Sequence, residues 1–213
     1  MKNVCANTSK YKNIIPYRAY SSKEYLESEL KSCFQNSPGY VGHELMIPNS
    51  GDFVTLAQED HNRFLIRNKD EIFLISNLCK HRQVPMLEGK GTVHSIVCPI
   101  HRWTYNLSGN LIGAPQFATL PCESLERTPL FECNGMLFDK EPSILEILKK
   151  NPFADFFSFE NFVFNSINQH ICNYNWKTFI EVYLDDYHVD PFHPGLNNLV
   201  DCKNLSWHFE NEF

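Results

Sequence analysis

Two short segments of the sequence each contain one cysteine and one histidine. Cys79 and His81 are separated by one residue, and Cys98 and His101 are separated by two. Thiolate sulfur and imidazole nitrogen are strong ligands for iron and zinc. Because residues 82–97 are long enough to run out as a strand and return, the two segments can lie side by side as loops. The four side chains therefore predict a metal centre.

The mixed composition of each pair distinguishes between two kinds of metal centre. In a Rieske-type [2Fe-2S] cluster two Cys bind one iron and two His bind the other, so loops that each supply one of both can contact both irons. A zinc finger usually has both Cys in one pair and both His in the other. The sequence therefore favours a [2Fe-2S] cluster over a zinc site, with the ligands Cys79, His81, Cys98 and His101.

A second group of potential iron ligands lies near the C-terminal end of the sequence. Asp185 and His188 are three residues apart and share a face if they are helical, and His193 follows Pro191, which disrupts a helix. Two His and one carboxylate form the facial triad that binds Fe(II) in non-haem oxygenases. On spacing alone, surface histidines or histidines with ordinary hydrogen-bond partners are the better interpretation.

The two motifs together resemble those of the Rieske non-haem iron oxygenases, the ring-hydroxylating α-subunit family. The resemblance runs from about Tyr20 to the end, and residues 175–196 resemble the start of the family's catalytic domain. It implies that His188 and His193 bind a mononuclear Fe(II). It also implies that Asp185 hydrogen-bonds an iron-ligating His and a Rieske His of the neighbouring subunit, and so bridges the two metal centres. The resemblance leaves open whether that Rieske ligand is His81 or His101.

The resemblance implies an oxidoreductase with several partners. A reductase or ferredoxin would pass electrons through the cluster to the mononuclear iron, for O₂-dependent hydroxylation of a small organic substrate by a monooxygenase or dioxygenase. The intact family implies a homotrimer. The alternative is a stand-alone Rieske electron carrier, which would leave the residues after about Lys150 without a role.

The resemblance also implies a third iron ligand, a carboxylate far downstream of His193 and beyond a long catalytic sheet. The sequence ends at Phe213, and the acids that follow His193 are Asp201, Glu210 and Glu212. They are too close in sequence to fill that role in the family fold. We therefore expect the chain to be the N-terminal portion of an oxygenase α subunit, inactive as an oxygenase in this truncated form.

Several positions near the cluster motif refine the prediction. Respiratory-chain Rieske proteins join the two loops by a disulfide whose cysteines would fall at Val84 and Ile100, so the resemblance is to the oxygenase and ferredoxin branch. Arg102 stands where family members commonly have Gly, either as a cation near the cluster or partner or as an exposed surface residue. Tyr105 is predicted to pack in the core or to donate a hydrogen bond toward the cluster.

The elements that would position these residues change type along the chain. The capping-box spacing of Ser21 and Glu24 predicts a helix over 21–34. Segments rich in β-branched and aromatic residues then predict an antiparallel sandwich. Its predicted strands are 53–58, 64–67, 72–76, 93–98 and 136–138. Further on, the pattern predicts a short helix over 142–150, a strand over 162–172 and a helix over 175–187.

The predicted fold class is α+β, a mostly antiparallel β Rieske sandwich followed by the start of an α+β catalytic domain. The helix-grip-like form of that second domain is implied by the resemblance. The predicted domain boundaries are 1–39 for an N-terminal helical segment, 40–140 for the Rieske [2Fe-2S] domain and 141–213 for the incomplete catalytic domain.

Composition limits the remaining function classes. The chain of 213 residues is 43% hydrophobic and 21% charged, with a formal net charge of −6. No Lys/Arg-rich block marks a nucleic-acid binder. No segment approaches the roughly 20 apolar residues that span a bilayer, and the first residues lack an apolar signal core. We therefore predict a cytoplasmic protein that binds neither nucleic acid nor membrane.

Overall fold

The computed structural model describes residues 15–141, 159 and 161–200. The chain divides into two compact units. The described residues within 31–167 form the strand unit, and those within 1–30 and 168–213 form the helical unit. No helix in the described part of the chain is long and apolar enough to cross a membrane.

The strand unit consists of short antiparallel strands in three sheets. The first sheet has the order β1-β11-β10, the second β5-β2-β3-β4-β9 and the third β6-β7-β8. The strands are β1 (Tyr40–His43), β2 (Asp52–Thr55), β3 (Arg63–Asn68), β4 (Glu71–Ser76), β5 (Lys90–Thr92), β6 (Ile96–Val97), β7 (Thr104–Tyr105), β8 (Leu111–Gly113), β9 (Arg127–Thr128), β10 (Phe131–Cys133) and β11 (Met136–Phe138).

The five-stranded sheet separates two hydrophobic cores. Side chains of β3 alternate between its faces, so that Phe64 and Ile66 join one core and Leu65 joins the other. The core that contains Phe64 also contains Cys79 and Cys98. The two predicted cysteine ligands therefore belong to a packed core.

The helical unit contains short helices. A 3₁₀ turn at Tyr17–Tyr20 precedes α1 (Lys23–Glu29). A π-helical segment at Leu30–Phe34 follows α1, and all of it except Leu30 belongs to the strand unit. The helices that follow residue 168 are α2 (Trp176–Leu184), α3 (Val189–Phe192) and α4 (Pro194–Asn197). Asn175 begins α2 with its side chain accepting a hydrogen bond from the N–H of Lys177 at 3.0 Å.

The α+β class and the antiparallel sheets are confirmed, but several local predictions are wrong. Residues 162–172 form no strand, since they pair with no other segment in the described structure, and Val163 and Ile171 are 87% and 97% exposed. The predicted capping box is also absent, because α1 begins after Ser22, whose side chain makes no capping hydrogen bond. The predicted helix over 142–150 lies outside the described residues.

Candidate metal centres

The two predicted cluster loops have the same backbone hydrogen-bond pattern. In the first loop the N–H of Gln83 donates to the carbonyl of Cys79 at 2.8 Å, and the N–H of Cys79 donates to Val84 at 3.0 Å. In the second, Arg102 donates to Cys98 at 3.1 Å, and Cys98 donates to Trp103 at 2.8 Å. Each loop is therefore a tight turn that starts at its cysteine and returns the chain within five residues.

A left-handed residue closes each of these turns. Gln83 has a φ of 54° and Arg102 a φ of 61°, in the region that Gly adopts at least cost. This geometry explains why a Gly suits the position of Arg102. The matching role of Gln83 has no signal in the sequence, because neither its type nor its spacing differs from that of an ordinary loop residue.

The structure brings the four predicted ligands together. Cys79 and Cys98 are buried, His81 is partly buried and His101 is exposed. The imidazole rings of His81 and His101 lie 4.6 Å apart between centroids, at an interplanar angle of 68°. The thiols therefore lie on the core side of the loops and His101 on the solvent side.

The four side chains fit a metal cluster, because the imidazole of His81 has a free ring nitrogen and favours its neutral form. Its Nδ1 is buried and has no hydrogen-bond partner among the described residues. Burial lowers the pKa of His81, and the charges of His101 and Arg82 lower it further, which favours the neutral imidazole that binds metal. A buried nitrogen with an unused lone pair is otherwise costly.

Tyr105 is fully buried in the core, as predicted, and its hydroxyl lies beside the first loop. Its hydroxyl is 3.6 Å from Sγ of Cys79 and accepts a hydrogen bond from the N–H of Lys80 at 3.3 Å. Burial raises the pKa of Tyr105, and the hydrogen bond to Cys79 and the thiolate charges raise it further. The phenol therefore keeps its proton and can donate it toward the sulfur.

The side chain of Asn77 supports the first loop through hydrogen bonds to the backbone, a role that the sequence did not reveal. It is fully buried, and its amide nitrogen donates to the carbonyls of His61 at 2.9 Å and Leu87 at 2.8 Å. Its amide oxygen accepts from the N–H groups of Met86 at 3.2 Å and Leu87 at 2.9 Å. One side chain thus joins the start of the Cys79 loop to the segment that follows it.

The residues predicted for the mononuclear site lie where α2 ends. The N–H of Asp185 donates to the carbonyl of Glu181 at 3.1 Å, and Oδ1 of Asp185 accepts from the N–H of Tyr187 at 3.1 Å. This second bond turns the chain, and α3 and α4 then follow. The imidazole rings of His188 and His193 lie 5.2 Å apart between centroids.

Asp185 lies beside the first of these histidines. Its Oδ2 is 3.5 Å from Nδ1 of His188, which is long for a hydrogen bond, and that nitrogen is buried without a closer partner among the described residues. The structure therefore brings Asp185, His188 and His193 together as predicted. Asp201, Glu210 and Glu212 lie outside the described residues.

An open apolar cavity of about 560 Å³ adjoins both histidines. Phe179 and Val182 of α2 and Leu196 of α4 contribute to its lining, together with Asp186.

Within the described part of the chain, no three His, Cys, Asp or Glu side chains surround a single metal position. A Rieske cluster does not require such a group, because its protein ligands divide between two irons.

Family models match both parts of the chain. A Rieske [2Fe-2S] domain matches residues 38–124, and the catalytic domain of ring-hydroxylating α subunits matches residues 153–213. The chain belongs to the Rieske non-haem iron oxygenase family. The match confirms the predicted family and its cofactors, a [2Fe-2S] cluster and a mononuclear iron. The assignment of individual ligands stays a prediction.

Two curated relatives and one solved structure illustrate this membership. The putrescine 2-hydroxylase of Ralstonia nicotianae is 47% identical over 195 residues, which cover 92% of this chain and 53% of the relative. The carnitine monooxygenase oxygenase subunit of Escherichia coli is 28% identical over 227 residues, covering 97% and 59%. A quaternary ammonium Rieske monooxygenase superposes with a TM-score of 0.69 at 25% identity, covering 84% and 53%. The chain spans about half the length of the curated relatives it matches.

Proposed function

We propose that this Rieske oxygenase chain belongs to an α subunit that hydroxylates an aliphatic amine or ammonium compound. Electrons would come from a reductase or ferredoxin. When bound, the cluster supplies one-electron transfer and the mononuclear iron supplies O₂ activation. In this proposal the cluster is held by Cys79, His81, Cys98 and His101, and the iron by His188 and His193.

The observation that carries the proposal is the arrangement of Asp185, His188 and His193 beside an apolar cavity. The two imidazoles are 5.2 Å apart, and the carboxylate of Asp185 is 3.5 Å from Nδ1 of His188. A stand-alone electron carrier needs only the strand unit and would leave this arrangement without a purpose. Two histidines that can bind iron, beside an apolar cavity, are part of what an oxygenase needs to place a substrate next to the metal.

The exposure of the two histidines in the cluster loops favours one route for electrons. His81 is partly buried, whereas His101 is exposed. His101 is therefore the ring that is accessible to Asp185 of a neighbouring subunit in the homotrimer of the family. In that role Asp185 holds an iron-binding histidine of its own subunit and accepts a hydrogen bond from the cluster ligand of the next.

The amine substrate is supported by the relatives and by one side chain. The curated relatives include putrescine, carnitine and glycine betaine oxygenases. Asp186 lines the same cavity as His188 and is only partly exposed. A carboxylate in a largely apolar cavity pairs strongly with an ammonium group. Asp186 is therefore a candidate for recognition of the substrate nitrogen.

We expect a polypeptide of these 213 residues alone to show no coupled hydroxylation. Two imidazoles hold Fe(II) weakly, and the facial triad of this chemistry includes a carboxylate as its third ligand. The test is therefore a fusion in which the chain is continued, from its aligned position, by the remaining part of the Ralstonia putrescine 2-hydroxylase.

The fusion is loaded with Fe(II), reduced chemically so that no donor protein is needed, and exposed to O₂ with putrescine or an aromatic compound of similar size. We expect one hydroxylated amine per reduced site, little aromatic product, and loss of product in His188→Ala. A fusion that carries the cluster but hydroxylates nothing, while passing electrons quickly to a soluble acceptor, would favour the electron carrier.

A further inference from the structure

Lys177 is a buried cation in the helix that leads to the proposed iron site. Its side chain is buried, with the residue 7% exposed. Lysine is almost never buried unless it is paired with an opposite charge. Its Nζ lies 2.7 Å and 2.8 Å from the two carboxylate oxygens of Glu29, whose side chain is 15% exposed. The ion pair therefore joins the last residue of α1 to the first turn of α2, across 148 positions of sequence.

Further contacts attach the same N-terminal segment to α2. The indole N–H of Trp176 donates to Glu29 at 3.0 Å, and Nδ2 of Asn175 donates to the carbonyl of Tyr20 at 3.1 Å. The hydroxyl of Tyr20 donates to the carboxylate of Glu181. The Nζ of Lys177 also lies over the rings of Tyr20 and Trp176, at 5.5 Å and 5.1 Å. Residues 17–30 therefore hold α2 at its start and one turn before its end.

The C-terminal end of α2, which Tyr20 contacts through Glu181, leads directly to the proposed iron ligands. The carbonyl of Glu181 accepts the N–H of Asp185, whose carboxylate lies beside His188. Lys177 and Glu181 share one face of α2, whereas Phe179 and Val182 face the cavity that adjoins His188 and His193. A shift of α2 would therefore move both Asp185 and the cavity wall.

We propose that Glu29 and Lys177 are positioning residues for the metal site at His188 and His193, acting through α2 and Asp185. Fold stability alone explains the pair poorly, because apolar replacements of a buried ion pair are often neutral or stabilising. The pair fixes the rotation of α2 about its own axis and the position of α2 along that axis relative to α1. The inference rests on the proposed role of His188 and His193.

The experiment titrates Co(II) into the cluster-loaded 213-residue chain and follows the Co(II) absorption spectrum. His188→Ala gives the background that does not come from the site. In Lys177→Met we expect Co(II) affinity to fall about tenfold, the lower end of what supporting residues contribute to metal sites. Lys177→Arg and the reversed pair Glu29→Lys with Lys177→Glu should restore most of the affinity.

An exposed pair on α1 provides the matched control. Lys23 and Glu27 are 3.5 Å apart, with side chains 86% and 64% exposed, so Lys23→Met should leave Co(II) affinity unchanged. If Lys177→Met does not fold, the isosteric Glu29→Gln takes its place. A folded variant of either kind that binds Co(II) like the wild type overturns the positioning role. Wild-type binding that His188→Ala does not reduce overturns the metal site itself.

Discussion

The indole of Trp103 stacks face to face on the imidazole of His81, with ring centroids 5.0 Å apart and planes 6° from parallel. Trp103 is 4% exposed, and its ring also packs nearly perpendicular to that of Phe117, at 5.5 Å between centroids. One proposed cluster ligand is thus fixed by packing as well as by its own loop. A ligand whose rotamer is fixed before the metal binds gives a more precise site.

Removing this stack should loosen the cluster. In Trp103→Leu we expect the free energy of unfolding to fall by about 3 kcal/mol, because a large buried ring is replaced by a smaller side chain. Iron release to a chelator should also become faster. Trp103→Phe keeps an aromatic ring and should lie between the two. Iron release at the wild-type rate in both variants would show that the stack does not hold His81.

Asn77 should be as important to the cluster as a ligand, although it binds no metal. Asn77→Ala removes the side-chain partner of the carbonyls of His61 and Leu87 and of the N–H of Leu87, whereas the N–H of Met86 keeps its bond to the backbone carbonyl of residue 77. We expect a loss of about 3 kcal/mol in unfolding free energy and reduced iron content on purification. Asn110→Ala, at an exposed asparagine, serves as the control and should keep its iron. Equal iron content in the two variants would contradict this account.

The left-handed conformation of Arg102 predicts a stabilising substitution. Arg102→Gly should raise the free energy of unfolding by about 1 kcal/mol, because Gly adopts a φ of 61° without strain. Denaturant unfolding measures the difference. Arg82→Gly is the matched control, since Arg82 is an exposed loop residue whose φ is not positive. Similar destabilisation by both substitutions would mean that strain at Arg102 is negligible.

Residue type and spacing were enough to predict the ligands' proximity but not the means of holding them. Cysteine and histidine are metal ligands by residue type, so the sequence alone predicts the loops at Cys79 and Cys98. The support from Asn77 depends on contacts between chain segments that no local pattern encodes. Gln83 shows the same limit, because its left-handed backbone is imposed by the turn and not by its own preference.

Secondary structure near the second site shows where local patterns fail. The helix predicted to reach residue 187 ends at Leu184, because the carboxylate of Asp185 accepts the N–H of Tyr187 and replaces a helical bond. The segment 162–172 is apolar enough for a strand but pairs with none in the described structure. Its exposed state follows from the absence of a pairing partner there, which a single segment's sequence does not reveal.

The ion pair of Glu29 predicts a pH dependence of stability. The hydrogen bond from Lys177, with smaller contributions from Trp176 and the charge of Lys177, lowers the pKa of Glu29 despite partial burial. A carboxylate with a lowered pKa stabilises the fold above its unfolded pKa of about 4.3, and this contribution is lost as pH falls through the folded value.

The destabilisation caused by Glu29→Gln should therefore shrink as pH falls from 6 to below about 4. Urea unfolding followed by far-UV circular dichroism at a series of pH values measures this difference. In a Lys177→Met background, Glu29→Gln should lose most of its pH dependence, because the main cause of the lowered pKa is gone. An unchanged pH dependence in that background would assign the effect to another group.

The central claim is that Cys79, His81, Cys98 and His101 hold a [2Fe-2S] cluster in this chain. The most direct measurement is electron paramagnetic resonance of the reduced, purified protein, together with its iron, sulfide and zinc content. We predict a brown protein with two irons and two sulfides per chain, and a Rieske-type signal with nitrogen couplings from both imidazoles. His101→Cys should change the signal and lower the reduction potential, because thiolate donates more charge than imidazole. A colourless protein that contains one zinc per chain would contradict the claim.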